Sequence, residues 1–270
     1  MRELNVAVVQ MEPALAKMQD NVGKMSEYIS RIATEQPVDI IVFPELAVTG
    51  YEGGQRFADM AQKIPGAVTN ILGQRANEFG IYLVIGMAVK GDVETVLYNS
   101  TVLIAPDGEV EGEYRKLHLP AEERLVFRPG YRIQPFETEF GIVGMMAGWD
   151  LAFPEAARSL MLQGAEIIVV PAAWQAKHAD MWRTLLVSRA YENDIFIAAA
   201  NRVGEEPSYV FAGQSAVLAA NGEVLAALEE PEEGYLVVRI DLDELRRRRE
   251  ETQIMLARQP GAYRPIVKKY

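Results

Sequence analysis

Three polar clusters, each at the end of an apolar run, carry residue types that acyl-transfer chemistry needs. The first is Phe43-Pro44-Glu45-Leu46, with Thr49-Gly50-Tyr51 just behind it. A carboxylate that follows an apolar run sits at a strand's edge, where partial desolvation raises its pKa and suits it to a general base. The plainer account of Glu45 is a loop carboxylate in a surface salt bridge. The second cluster is Tyr114-Arg115-Lys116-Leu117-His118-Leu119-Pro120, followed by Glu122 and Glu123. Period-two alternation sets Lys116 and His118 on one face and Leu117 and Leu119 on the other. A lysine on such a face can stabilise a developing oxyanion, and an edge strand with solvated charges is the plainer account. The third cluster runs from Gly144 through Gly148-Trp149-Asp150 to Phe153-Pro154-Glu155. A small residue between an apolar strand and a proline-started helix lies where backbone N–H groups point outward, which suits a nucleophile beside an oxyanion hole. A tight turn that requires glycine would explain Gly148 equally well.

Strand ends are where layered α/β proteins place their sites, so the elements between these clusters matter. Apolar runs predict buried strands over 5–10, 38–43, 81–89, 142–146, 166–170 and 195–200. Between them lie helix-period segments: Val22, Met25, Ile29 and Ile32 mark one over 20–36, and Val68, Ile71, Leu72 and Phe79 mark another. Pro154 stands where a first-turn proline opens a helix, and 180–193 reads as a further helix. Pairs of β-segments flank the turns at Pro106-Asp107-Gly108 and Asn221-Gly222. Strands buried on both faces, alternating with amphipathic helices, imply an α/β fold with a mixed sheet layered by helices. No linker, repeat or low-complexity tract interrupts the chain, so residues 1–270 are expected to form one domain. The Arg246–Arg249 run is expected to be a solvated helix face paired with Glu250 and Glu251.

Composition narrows the function. The chain has 270 residues, 49% hydrophobic and 24% charged, with a formal net charge of −11. That field opposes nucleic acid and anionic membranes as partners. No apolar run approaches the roughly 20 residues of a membrane span, and no signal-peptide pattern opens the chain, so a cytoplasmic location is expected. There are no cysteines, which excludes disulfides, cysteine-ligated zinc and iron–sulfur clusters. The two histidines, His118 and His178, are far apart, and His178 with Asp180 reads as a polar pair at a helix start. No metal or other cofactor is indicated. Gly213-Gln214-Ser215-Ala216-Val217 lacks the final glycine of a serine-hydrolase elbow, and no dinucleotide or phosphate loop is present.

Taken together, the clusters resemble a known family. The order Pro44-Glu45-Leu46, then Arg115-Lys116-x-His118-Leu119, then Trp149-Asp150-x-x-Phe153-Pro154-Glu155 is similar to the carbon–nitrogen hydrolases of the nitrilase superfamily, in their amidase-like branch. The resemblance continues through Pro171-Ala172-Ala173-Trp174, Trp182, Arg189-Ala190, Glu192-Asn193, Ala200 to Gly204 and Gly213-Gln214-Ser215, and so covers nearly the whole chain. It implies a four-layer αββα sandwich that assembles as a homodimer or larger homo-oligomer, with 260–270 a C-terminal arm on a neighbour. It also implies a catalytic set: Glu45 as general base, Lys116 as oxyanion-stabilising cation, and Glu123 as second glutamate. Glu123 lies four residues before Phe127 in a segment resembling Glu-x-x-x-Phe-x-Pro-Gly, and Glu122 is the alternative if the loop is shifted by one.

The family's nucleophilic cysteine belongs immediately before the Trp-Asp pair, and there the sequence has Gly148. The implied reaction hydrolyses a small carboxamide to carboxylate and ammonia in a pocket lined by Tyr51, Trp149 and Trp174. Without the sulfur the chain is expected to be inactive as it stands, since neither Ala147 nor Trp149 is a nucleophile. The resemblance is open between an inactivated amidase, a natural pseudoenzyme that binds carboxamides, and a nitrilase or N-carbamoyl amidohydrolase in its active form. A carbamoyl substrate would need an arginine for its carboxylate, which Arg189 or Arg202 could supply. A cysteine restored at 148 is expected to enter space the fold reserves for it, with little strain.

Overall fold

Strand β1 (Glu3–Gln10) is apolar on both faces, and each face has its own core: Val6 and Val8 point to one side, Ala7 and Val9 to the other. That double burial requires layers on both sides of the sheet. In the computed structural model, which describes residues 2–120 and 122–268, two six-stranded sheets pack face to face. The first joins β1 to β2 (Ile40–Val42), β3 (Tyr82–Lys90), β4 (Leu97–Ile104), β5 (Val110–Arg115) and the late strand β14 (Gly234–Asp241), in the order β14-β1-β2-β3-β4-β5. The second joins β6 (Phe136–Glu137), β7 (Ile142–Met145), β8 (Ile167–Ala172), β9 (Phe196–Asn201), β12 (Ala216–Leu218) and β13 (Val224–Ala227), in the order β13-β12-β9-β8-β7-β6. A two-strand ribbon, β10 (Glu205–Glu206) with β11 (Tyr209–Val210), stands apart. Both sheets are mixed: β1-β2-β3 and β7-β8-β9 run parallel, and the outer strands pair antiparallel.

The helices are α1 (Met18–Glu35), the single turn α2 (Phe57–Met60), α3 (Ala67–Phe79), α4 (Pro154–Leu162), α5 (Ala179–Asn193) and α6 (Glu244–Thr252). Val22, Met25, Ile29 and Ile32 of α1 and Val68, Leu72 and Ala76 of α3 bury against the outer face of the first sheet. Leu160 of α4 and Trp182 and Leu186 of α5 do the same on the second. Between the sheets lies a third core built from Val42, Val84, Met145, Val169 and Ala198. The layer order is therefore αββα, as the resemblance implied. Among the described residues, no helix is long and apolar enough to cross a membrane.

The departures from the sequence reading have local causes. β2 begins only at Ile40, because the Asp39 carboxylate accepts the Asn5 N–H and side-chain amide at 2.6 and 3.0 Å and occupies the preceding pairing position. The chain leaves the sheet at Arg115, so Lys116 and His118 do not share a strand face and instead reach different carboxylates. Arg246 pairs with Glu250 at 3.0 Å, but Arg248 reaches back to Asp194 at 2.8 Å and Arg249 to the Ala165 carbonyl at 3.2 Å, so only part of that run is solvated. In the C-terminal segment, Pro260–Val267 forms 3-10 turns that lie exposed, while residues 269–270 of the expected arm fall outside the described residues.

Candidate active site

The carboxyl ends of β2, β7 and β8 face the end of β5, and the polar clusters meet there. Gly86 in β3 allows this: a Cβ at that position would collide with the backbone of Pro44 and Glu45 as the chain turns inward after β2. Lys116 Nζ then lies between two carboxylates, donating to Glu45 Oε1 at 2.6 Å and to Glu123 Oε1 at 2.7 Å. Asn99 of β4 spans the same pair, its Nδ2 donating to Glu45 Oε1 at 2.7 Å and Glu123 Oε2 at 3.2 Å. The Tyr51 hydroxyl donates to Glu123 Oε1 at 2.7 Å, and the Ala173 N–H donates to Glu45 Oε2 at 3.0 Å. Glu45, Lys116 and Glu123 are all at most 5% exposed, so neither the surface salt bridge nor the solvated edge strand describes them. Glu122 is exposed and stands outside the cluster.

Burial governs the electrostatics. Desolvation raises the Glu45 pKa, Lys116 pulls it back and the charge of Glu123 pushes it up again, leaving it above the ordinary value. Burial works against the Lys116 ammonium, yet two adjacent carboxylates outweigh it and hold the amine protonated. Tyr51 is pushed well above the usual phenol range by burial and then by the charges of Glu123 and Glu45, so it remains a neutral donor.

Carboxyl-carbon NMR is accordingly expected to show Glu45 titrating above 4.5. Between the unfolded value and the raised one, the folded state holds a proton that the unfolded chain has released, so the contribution of Glu45 falls as pH rises through that window. Glu45 titrating at its ordinary value would show a solvated site.

Gly148 opens the 3-10 turn Gly148–Ala152, separated from β7 by Met146 and Ala147, with φ of +40°. The first N–H groups of such a turn, at Gly148 and Trp149, have no partner within it. A Cβ built on Gly148 would fall inside van der Waals contact of Glu45 Oε2. The expectation of freely reserved space is therefore corrected: the base's own carboxylate occupies part of it, and the left-handed backbone itself favours glycine.

Glu45, Lys116 and Gly148 border a cavity of about 170 Å³ whose walls include Tyr51, Trp149 and Trp174. The two indoles stack at 5.5 Å, and Trp182 continues the series at 5.4 Å from Trp174. Glu123 stands behind this lining, reached through Tyr51 and Lys116. Arg189 is engaged by the Leu151 carbonyl and Glu192, and Arg202 is paired with Glu206 and lies over Phe211, so neither borders the cavity. A larger cavity of about 540 Å³, beside Arg158 and Tyr263, shares no lining residue with the carboxylate site. Among the described residues, no group of three or more His, Asp or Glu could hold a metal ion.

Two participants escaped the sequence reading. Asn99 is fully buried, and its only signal was a polar Asn-Ser-Thr stretch within an otherwise apolar strand pair. In the sequence Asp150 is only half of the Trp149-Asp150 pair. Its carboxylate accepts the Tyr114 hydroxyl at 2.7 Å and the N–H groups of His118 at 2.9 Å and Ala147 at 3.3 Å, and lies 2.7 Å from His118 Nδ1. This joins the Lys116 segment to the Gly148 turn across the two sheets. His118 is in turn stacked on Phe153 with ring centroids 3.5 Å apart.

The model of the family described as carbon-nitrogen hydrolase matches residues 5–250, and the chain belongs to that family. It is 40% identical over 253 residues to a nitrilase from Pyrococcus abyssi, covering 91% of this chain and 93% of that one. It superposes on a carbon–nitrogen hydrolase from Helicobacter pylori with a TM-score of 0.93 at 26% identity, covering 99% of each chain. A mutant amidase from Nesterenkonia sp. matches with a TM-score of 0.81 at 28% identity, over 93% of this chain and 95% of that one. It carries the acetamide moiety of fluoroacetamide added covalently at its active-site cysteine.

Proposed function

We propose that this chain is the framework of an amidase for small carboxamides whose nucleophile position is vacated at Gly148, so that it binds amides without turning them over. The observation that carries the reading is the buried Glu45–Lys116–Glu123 cluster opening onto Gly148 in one cavity. In the active form a thiolate at 148 would attack the amide carbon. Lys116 and the Trp149 N–H would receive the oxyanion, and Glu45 would move the proton from thiol to departing ammonia and then activate water against the thioester. Glu123 holds Lys116 from the far side, and Tyr51, Trp149 and Trp174 form the acyl walls. None of these steps needs a cofactor.

Binding does not depend on the sulfur. Calorimetry with a short carboxamide is therefore expected to show a saturable site while ammonia release stays at background, and Gly148→Cys is expected to convert that binding into turnover. A carboxamide that binds neither form would remove the reading. A natural carboxamide binder uses the same pocket, and it is what remains if the cysteine variant folds and binds but stays inactive. The N-carbamoyl reading loses its arginines, because Arg189 and Arg202 are engaged elsewhere.

We also infer that residues 1–270 act as one domain and that a second copy covers the C-terminal segment. Ile266 and Val267 are 58% and 87% exposed there, and apolar side chains at that exposure favour a partner surface. Light scattering is expected to give a dimer or larger species, and a monomer at micromolar concentration would count against the assembly.

A further inference from the structure

The vacated position still faces a base. Of the two Glu45 oxygens, Oε1 is fully used: it accepts Lys116 Nζ at 2.6 Å and Asn99 Nδ2 at 2.7 Å. Among the described residues Oε2 accepts one bond, from the Ala173 N–H at 3.0 Å, and it is the atom that a Cβ on Gly148 would meet. Oε2 therefore keeps acceptor capacity beside the space over Gly148. Burial, offset by Lys116 and reinforced by Glu123, holds the Glu45 pKa above its ordinary value, which makes the carboxylate a stronger base toward water. Lys116 Nζ spends two of its three protons on the glutamates, which leaves one for a developing oxyanion. Glu45, Lys116 and Gly148 all border the cavity of about 170 Å³, and a water's share of liquid volume is only ~30 Å³, so a short acyl group and a water fit there together.

We propose that the chain as it stands hydrolyses short activated esters by direct attack of water, with the water held over Gly148 and Glu45 as its base. The activity rests on the proposed carboxamide site, because the neutral acyl group of the ester takes the place of the carboxamide. The water oxygen bonds to the acyl carbon as Glu45 Oε2 takes one of its protons, and Lys116 receives the oxyanion. The carbonyl then re-forms and the C–O bond to the leaving phenolate breaks. The carboxylic acid released ionises, Glu45 returns its proton to solvent, and no covalent acyl-enzyme forms. The leaving group sets the substrate class. A phenolate departs as an anion, whereas an amide nitrogen must be protonated before it can leave. A site stripped of its nucleophile keeps roughly 10³–10⁴ of acceleration over water. Amide hydrolysis in water is so slow that this factor leaves ammonia release at background. Water already cleaves an activated aryl ester measurably, and there the same factor gives turnover.

Release of p-nitrophenolate from p-nitrophenyl acetate by the unaltered chain tests this. The turnover rate is expected to exceed the buffer rate at least about 10³-fold. It is expected to begin without a burst, to slow in heavy water because a proton moves with the attacking oxygen, and to be inhibited competitively by propionamide. Glu45→Gln, which still offers Lys116 an acceptor, is expected to lower the rate at least about 10²-fold. Gly148→Ala is expected to do the same without touching the base, because its methyl group takes the space of the water. A stoichiometric burst, a rate unchanged in heavy water, or full activity in either variant overturns direct attack by water. The first two readouts need only the unaltered chain, so they decide the matter even if a variant fails to fold. No turnover above buffer while calorimetry shows propionamide bound, or turnover that bound propionamide does not slow, also overturns the ester activity and leaves the carboxamide site standing. Absence of both turnover and propionamide binding removes the shared site.

Discussion

Gly148→Cys is expected to raise ammonia release from a short carboxamide by at least ~10³-fold over the chain as it stands. Loss of a covalent nucleophile from a concerted set costs on the order of 10⁶ in turnover, so the expected gain leaves most of that unrecovered. The shortfall has a structural cause. A Cβ at this position meets Glu45 Oε2, so the carboxylate must withdraw and its bond from the Ala173 N–H must stretch or break. The backbone at 148, with φ of +40°, is also unfavourable for any residue with a side chain. The left-handed conformation costs roughly 1–2 kcal/mol, and a lost buried hydrogen bond adds about 1 kcal/mol. The variant is therefore expected to melt several degrees lower while gaining activity, at roughly 2–4 °C per kcal/mol for a chain near this size. A gain of ~10³ corresponds to about 4 kcal/mol of transition-state stabilisation, which outweighs imperfect placement of the base. The decisive negative is a variant that folds, binds carboxamide and still releases nothing from amides, nitriles or N-carbamoyl compounds.

The sequence reveals the layers and the cluster because both rest on local pattern. The unbroken apolar run of β1 states that both of its faces are covered, the 3.6-residue period of α1 states which side of the helix is, and the αββα order follows from two such sheets. Glu45 and Lys116 are legible because each stands in a short motif at a strand end, and Glu123 because of its spacing to Phe127. Asn99 is not, since its role arises only when β4 brings it beneath two carboxylates that lie 54 and 24 residues away in the chain. Alternation does not place Lys116 and His118 together because β5 ends at Arg115, three residues before His118, which no period within the segment shows. The space at Gly148 is hidden from the sequence for a similar reason. Motif order tells that Glu45 is near, but the direction of its carboxylate is set by Lys116, Asn99 and the Ala173 N–H together.

Lys116→Met is expected to destabilise the fold by about 3–5 kcal/mol at neutral pH, the range found when one member of a buried ion cluster is removed. Methionine matches the lysine stem closely enough to fill its volume, so the loss isolates the charge rather than the packing. Glu45 and Glu123 each receive a hydrogen bond from Lys116 Nζ, and with that donor gone two buried carboxylates face each other through Asn99 alone. Both cannot remain ionised at that range, so one takes up a proton that the unfolded chain would have released. The folded pKa of that group lies above its unfolded value. The penalty is therefore largest at neutral pH and above, and shrinks as pH falls toward the ordinary carboxylate range. Tyr51 still donates to Glu123, which favours Glu45 as the carboxyl that protonates. Adding Glu123→Gln removes the repulsion and is expected to recover about half of the loss, so the two substitutions will be non-additive in a double-mutant cycle. Urea denaturation of the four proteins at pH 5 and pH 7.5 measures all of this. A single Lys116→Met loss below about 1 kcal/mol at the higher pH would mean that the ammonium is not what holds the two glutamates together.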